Sequence, residues 1–503
     1  MVSVALFTML QASCGLLAHP PVPAEPVRIS LREAIGTALQ NNLQVSIARQ
    51  ARESTRSGIQ TREGAFDWNL SVTGETYHGQ SPAPQPQVFG AEAPQNATLT
   101  KRSVNSQLTR QFGWGGLFEL NYAPLYQTGS QTFYGGTDLN GACTQPYSGS
   151  LGAKYTQSLL RGLGASAELP TALVVAHKHA DAADQKFQKE IIDLVATTET
   201  QYWDMVFAIR NLANKRTALE LAQKLLKENA IRVQVGAMAP IEVTFAESQV
   251  AKAELDIITC EAEALNAQDT LIRALYPAAG RPAALEPTDA PTLSHIQLEE
   301  AAAIRMALAR RVELKEARVG REIAKARESA AGNHARPKLD AYVAYSGASG
   351  NYGGLGAVHE DLAGFRNPGY TFGLTFAFPI RNREARGRRS AARADLLHQE
   401  LRLRDQELSI ALEVSKALRA VEAAAKGVKA AAKTRYFQEK NMDAEKQKFE
   451  NGLSTNFTVL QVMTNLDSAR NDELTSQIKY AKAVTAMEVA VGNLMEARNF
   501  SIR

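Results

Sequence analysis

The sequence predicts a mainly α-helical protein that also supplies transmembrane β-strands: long antiparallel coiled-coil hairpins, with four strands per chain set between them. Three observations carry this reading. Residues 165–235 and 384–450 hold little proline and few glycines, and their apolar residues recur at helical spacing; each stretch runs into a glycine turn followed by more helical sequence. Short segments between the helical stretches alternate large apolar residues with small or polar ones. No segment after Ala18 reaches the roughly 18 apolar residues of a membrane-spanning helix, so crossing a membrane would fall to strands. The whole order also occurs twice. Gly236 matches Gly452, Val243 matches Val459, Ala253 matches Ala469, Ala267 matches Ala483 and Ala274 matches Ala490 at one constant offset. Ala38-Leu39 matches Ala307-Leu308, Ala48 matches Ala317 and Leu70 matches Leu339 at a second, which makes the chain a tandem repeat.

Residues 1–24 read as a secretory signal peptide, apolar from Met1 to Ala18, with Val22 and Ala24 as the small pair before the cleavage point; the absence of Lys and Arg ahead of the apolar run departs from the usual pattern. Cys14 is a candidate lipidation site, although Gln11 stands where an aliphatic residue is expected; the other reading is a plain signal-peptide cysteine. The first repeat covers residues 25–278. It opens with a helix and continues into the strands Trp68 to Val72 and Tyr147 to Leu159. The long loop between these strands carries Ser81-Pro82-Ala83-Pro84-Gln85-Pro86 and an extra hairpin near Val104–Phe112 and Leu117–Tyr126. The two offsets differ by about 53 residues, nearly all of them in this loop. Barrel proteins keep long loops outside the cell, so it is expected at the surface.

The long helix that follows spans about 105 Å if it holds 70 residues. It stops at Gly236, since glycine tolerates the left-handed conformation at a helix C-terminus, and Pro240 suits the start of the return helix. Residues 279–297 are a Pro/Ala-rich linker. The second repeat, residues 298–495, holds Leu339 to Tyr345 and the strictly alternating Tyr370 to Phe378, with a Gly-rich loop between them. Tyr370, Phe372, Leu374, Phe376 and Phe378 share one face, and Thr371, Gly373, Thr375 and Ala377 the other. Its long helix ends at Gly452, and Ser454 and Thr455 can cap the helix beyond. Residues 496–503 form a tail. Four strands have two bare edges, whose backbone groups cannot face lipid, so the barrel must close between chains.

The order of elements resembles the outer-membrane efflux protein family, the TolC-like channels. The resemblance covers roughly residues 28–495 and rests on the helix from Leu31-Arg32-Glu33-Ala34 to Ala38-Leu39-Gln40-Asn41-Asn42, on Gln157-Ser158-Leu159-Leu160-Arg161-Gly162, on Phe378-Pro379-Ile380-Arg381-Asn382-Arg383 and on the two glycine turns. It implies a homotrimer with a shared 12-stranded barrel among outer-membrane lipid, continued by an α-helical tunnel into the periplasm of a Gram-negative-type cell. The activity implied is a passive, tip-gated exit duct of a tripartite efflux or type I secretion system, partnered by a periplasmic adaptor (membrane-fusion) protein and an inner-membrane transporter. The implied adaptor-contact zone is Val235, Gly236, Ala237 and Met238 on one turn and Asn451, Gly452, Leu453 and Ser454 on the other. Some relatives narrow the entrance with acidic residues six and nine positions after the second turn glycine. Those positions hold Thr458 and Gln461 here, so an acidic ring is not carried over; Glu242 remains a candidate for holding the tip closed, with Ser454 as its partner. The competing reading is a soluble periplasmic coiled-coil scaffold or adaptor without a pore. The alternating aromatic strands argue against it.

Composition excludes much else. A net charge of +4 without a clustered basic face gives no nucleic-acid footprint. His177 and His179 do not share a helix face. No His or Cys spacing fits zinc, the nine methionines are dispersed, and the glycine-rich pieces lack the Lys-Ser/Thr of a phosphate loop. Neither a cofactor nor an enzyme activity is expected. Cys143, in a loop, and Cys260, in a helix, read as separate thiols.

Overall fold

The computed structural model describes residues 26–82, 94–133, 138–140, 147–236, 238–276, 282–291, 298–351 and 354–500. The signal segment, Cys14, Cys143 and Ala237 lie outside them. The first half of the chain runs β1 (Val27–Ile29), α1 (Leu31–Asn41), α2 (Leu43–Glu63), a single 3-10 turn, β2 (Asn69–Pro82), β3 (Pro94–Gln111), β4 (Gly116–Phe133), β5 (Asp138–Asn140), β6 (Tyr147–Ser158), α3 (Glu168–Gln234) and α4 (Ile241–Leu275). The second runs β7 (Leu285–Pro287), α5 (Glu300–Arg310), α6 (Val312–His334), β8 (Lys338–Asn351), α7 (Leu355–Ala363), β9 (Pro368–Ala377), α8 (Arg383–Glu450), α9 (Asn456–Val491) and α10 (Leu494–Ala497). Helices α1 and α5 recur at the offset of Ala38 and Ala307, and α3 and α8 end at the offset of Gly236 and Gly452.

Two compact units divide the chain, and neither follows the repeat. One comprises the chain up to Arg52, Asp184–Glu316 and Leu403–Arg503; the other comprises Glu53–Ala183 and Ala317–Arg402. The first is helical. Ser30 caps α1, its hydroxyl accepting from the Glu33 N–H at 3.3 Å while the Glu33 carboxylate accepts from the Ser30 N–H at 2.9 Å. Ala34, Ala38, Tyr202, Met205, Leu271 and Leu275 are buried together in its core. The segment read as a linker is ordered where it is described: β7 pairs in parallel with β1. Asp289 follows β7, accepts from the Leu31 N–H at 2.6 Å and lies 3.1 Å from the buried Tyr202 hydroxyl, whose pKa burial pushes up to about 12. The C-terminal segment is also tied down, because Arg498 bridges the buried carboxylates of Glu199, at 2.7 Å, and Glu488, at 2.9 Å.

The second unit holds the sheet. Its strands are antiparallel in the order β2-β3-β4-β6-β8-β9, with β5 beside β4. The fold class stands, but the strand number does not: six strands line up where four were expected. The hairpin assigned to a surface loop is β3 and β4, and it lies between β2 and β6. Strand β3 pairs with β2 along the whole length of β2, and β4 pairs with β6 from Tyr147 to Gln157, so the backbone N–H and C=O groups of both strands are met through the hairpin. The Gly-rich segment between β8 and β9 contains α7, whose Val358 and Leu362 are buried.

Candidate functional site at the hairpin tips

Helix α8 ends in a Schellman motif. Gly452 takes φ +75°, its N–H donates to the Phe449 carbonyl at 3.1 Å, and the Leu453 N–H reaches back to Lys448 at 2.8 Å. Gly236 ends α3 in a left-handed conformation too, with φ +74° and its N–H 3.0 Å from the Val233 carbonyl. A Cβ at either glycine would meet nothing within 4 Å, so the requirement is conformational and not steric. Thr455 caps α9, accepting from the Thr458 N–H at 3.3 Å. Ser454 does not; its hydroxyl bonds to Glu445, and that bond, followed by the one from Lys448, holds the Glu445 pKa below its ordinary value.

The two tips of one chain share a small core of Leu225, Met442, Phe449, Val459, Leu460 and Leu466. The Arg232 guanidinium lies 4.2 Å from the centre of the Phe449 ring, which links α3 to α8. Glu242 is paired, but not with Ser454 as anticipated. Asn456, 2% exposed, donates to the Glu242 carboxylate at 3.0 Å. The reason is placement: Ser454 sits in the turn and faces back onto α8, while Asn456, the first residue of α9, points across to α4.

Of the anticipated contact residues, Val235 and Leu453 are 72% and 79% exposed, and Gly236, Asn451 and Gly452 are also at the surface. Met238 instead packs against the tip core. Thr458 is half-buried with its hydroxyl on Thr455 at 2.8 Å, and Gln461 is exposed. The sequence reading missed Asn456 and the exposed edge-to-face pair Phe245 and Phe457, 6.3 Å apart. An aromatic on the polar face of each return helix, close behind the turn, was the available signal. Among the described residues no group of acidic, His or Cys side chains could hold a metal, and Cys260 is a buried free thiol.

Long helical hairpins with exposed apolar tips, joined to an open-edged antiparallel sheet, define a channel subunit of the TolC-like fold. The sequence model described as outer membrane efflux protein matches residues 137–275 and 303–493, and the chain belongs to that family. No curated protein sequence matches it. Solved structures share the fold at low identity. CusC, in a study of folding and transmembrane channel formation, aligns with TM-score 0.68 and 14% identity over 92% of each chain. VceC of Vibrio cholerae gives 0.66 and 13% over 92% of this chain and 96% of that one. The open state of Neisseria gonorrhoeae MtrE gives 0.64 and 15%, over 92% and 89%. The family is one of outer-membrane efflux channels, not enzymes.

Proposed function

We propose that the chain is the outer-membrane exit duct of a tripartite efflux or type I secretion system, working as a homotrimer that reaches into the periplasm. The observation that carries this is the sheet's two free edges, beside apolar side chains left in the open: Phe372 is 79% and Leu374 72% exposed on β9. Unpaired backbone cannot face lipid, so neighbouring copies must complete the wall and enclose a lumen. Transport through it is passive. The hairpin tips gate it, with the Asn456–Glu242 contact holding α4 to α9, and the exposed tip residues meet a periplasmic adaptor that connects to an inner-membrane transporter. The test is reconstitution. Protein extracted with detergent should have about three times the mass of one chain and give stepwise conductance in a planar bilayer. A monomer released by a salt wash, with no conductance, overturns the proposal and favours a soluble scaffold.

A further inference from the structure

The hairpin β3–β4 has the chemistry of barrel wall. Followed through the strand registers, one row runs Leu70, Leu108, Leu120, Ala153, Tyr345 and Tyr370, apolar or aromatic on all six strands. The adjacent row on the opposite face runs Asn69, Thr109, Glu119, Lys154, Ala344 and Thr371, with Glu119 and Lys154 ion-paired at 3.8 Å. A surface loop has no reason to continue either pattern; a strand between lipid and water needs both. Trp68 and Phe118 stack edge to face near the helical end of the apolar face, where a barrel carries an aromatic girdle. At the loop end α7 covers the same face over Gly149, leaving the belt below it open.

We infer that β3 and β4 belong to the membrane wall and that β9 of one copy pairs with β2 of the next, so that three copies of six strands close an eighteen-stranded barrel. This rests on the trimeric duct proposed above. Strand direction alternates across the six, so β9 meets a neighbour's β2 antiparallel. The stagger also fits. The row that starts near the lower end of β2, at Leu70, reaches β9 near its upper end, at Tyr370. A neighbour's Leu70 set level with Phe376 then gives a stagger of about six residues per copy, the shear a tilted closed barrel requires. Barrel diameter grows roughly linearly with strand number, and rings of about 16–18 strands keep an aqueous channel. The lumen is therefore about half again as wide as a twelve-stranded ring's.

Single cysteines labelled with a fluorophore test this in proteoliposomes, in a background with Cys143 and Cys260 replaced by serine. Brominated lipid should quench labels at Leu120→Cys and Leu108→Cys by about the same factor as at Phe372→Cys. A label at Asn121→Cys should escape lipid and respond to aqueous iodide. Quenching at Phe372 without quenching at Leu120 and Leu108 overturns the six-strand wall and leaves the duct standing; no quenching at any of the three overturns both. For the seam, Ser71→Cys combined in turn with Gly373→Cys, Thr375→Cys and Ala377→Cys should give disulfide-linked trimers for at least one pair. Failure of all three overturns the β9–β2 junction.

Discussion

Gly452 shows how much one backbone conformation can govern. Its φ of +75° lies in the left-handed region, and the space around it is empty. A side chain there costs about 1–2 kcal/mol of local strain and clashes with nothing. Gly452→Leu should therefore leave trimer mass and melting nearly unchanged while impairing export, measured as substrate sensitivity of cells carrying the variant; normal export removes the tip from the contact zone. Asn456 is different because it is buried and partnered. Asn456→Ala leaves the Glu242 carboxylate without its donor, which costs about 1–3 kcal/mol, and should raise resting conductance in a planar bilayer. His334, at the end of α6, is a pH probe. The Arg161 guanidinium can only donate, so the Nε2 it contacts must be unprotonated, and burial followed by the Arg161 and Arg388 charges lowers the His334 pKa from 6.5. An unfolded chain takes up that proton near pH 6.5 and the folded one does so only at lower pH. Its stability contribution is thus complete above 6.5 and is lost as pH falls below it. Melting curves from pH 7.5 to 5.5 should show this decline, and His334→Gln should flatten it.

At the scale of elements, Lys215 on α3 stands between Asp467 on α9, at 2.6 Å, and Asp256 on α4, at 3.3 Å. Burial works against its charge, yet the two carboxylates more than offset it and its pKa is raised. Lys215→Ala leaves two acids facing each other across three helices and should cost about 2–3 kcal/mol, with part of the loss recovered by adding Asp467→Asn; a purely additive double mutant would refute the coupling. The helical hairpins themselves were legible in the sequence. Periodicity, the glycine stops and the repeat offsets all mark the same boundaries, and each signal is local. What was not legible depended on partners far along the chain. Strand β7 is three residues long and forms because β1 lies beside it, and Asp289 matters because Tyr202, 87 residues earlier, is buried against it. The β3–β4 hairpin was seen as a hairpin, but its alternation could not say whether it joins β2 and β6 or leaves them. Only the cross-strand rows decide that. At the tip, Ser454 and Thr455 were both plausible caps, and one hydroxyl's direction separates them.

At the scale of the whole assembly, threefold symmetry multiplies whatever charge a tip presents to the pore. A trivalent cation inside a ring of three carboxylates has nine unit-charge pairs, each contributing about 1 kcal/mol at 4 Å even at the permittivity of water, before salt reduces it. Thr458 and Gln461 supply hydroxyls and amides, which contribute no such terms, and Glu242 is held by Asn456. The proposed trimer should therefore pass current in the presence of a trivalent cation that blocks a relative with an acidic entrance, when both are measured side by side in planar bilayers. The paired substitution Thr458→Asp and Gln461→Asp should confer the block, and that block should weaken as ionic strength rises. If the unaltered channel is blocked as strongly as the acidic relative, another carboxylate lines the entrance. If the double variant remains insensitive, Thr458 and Gln461 do not face the pore.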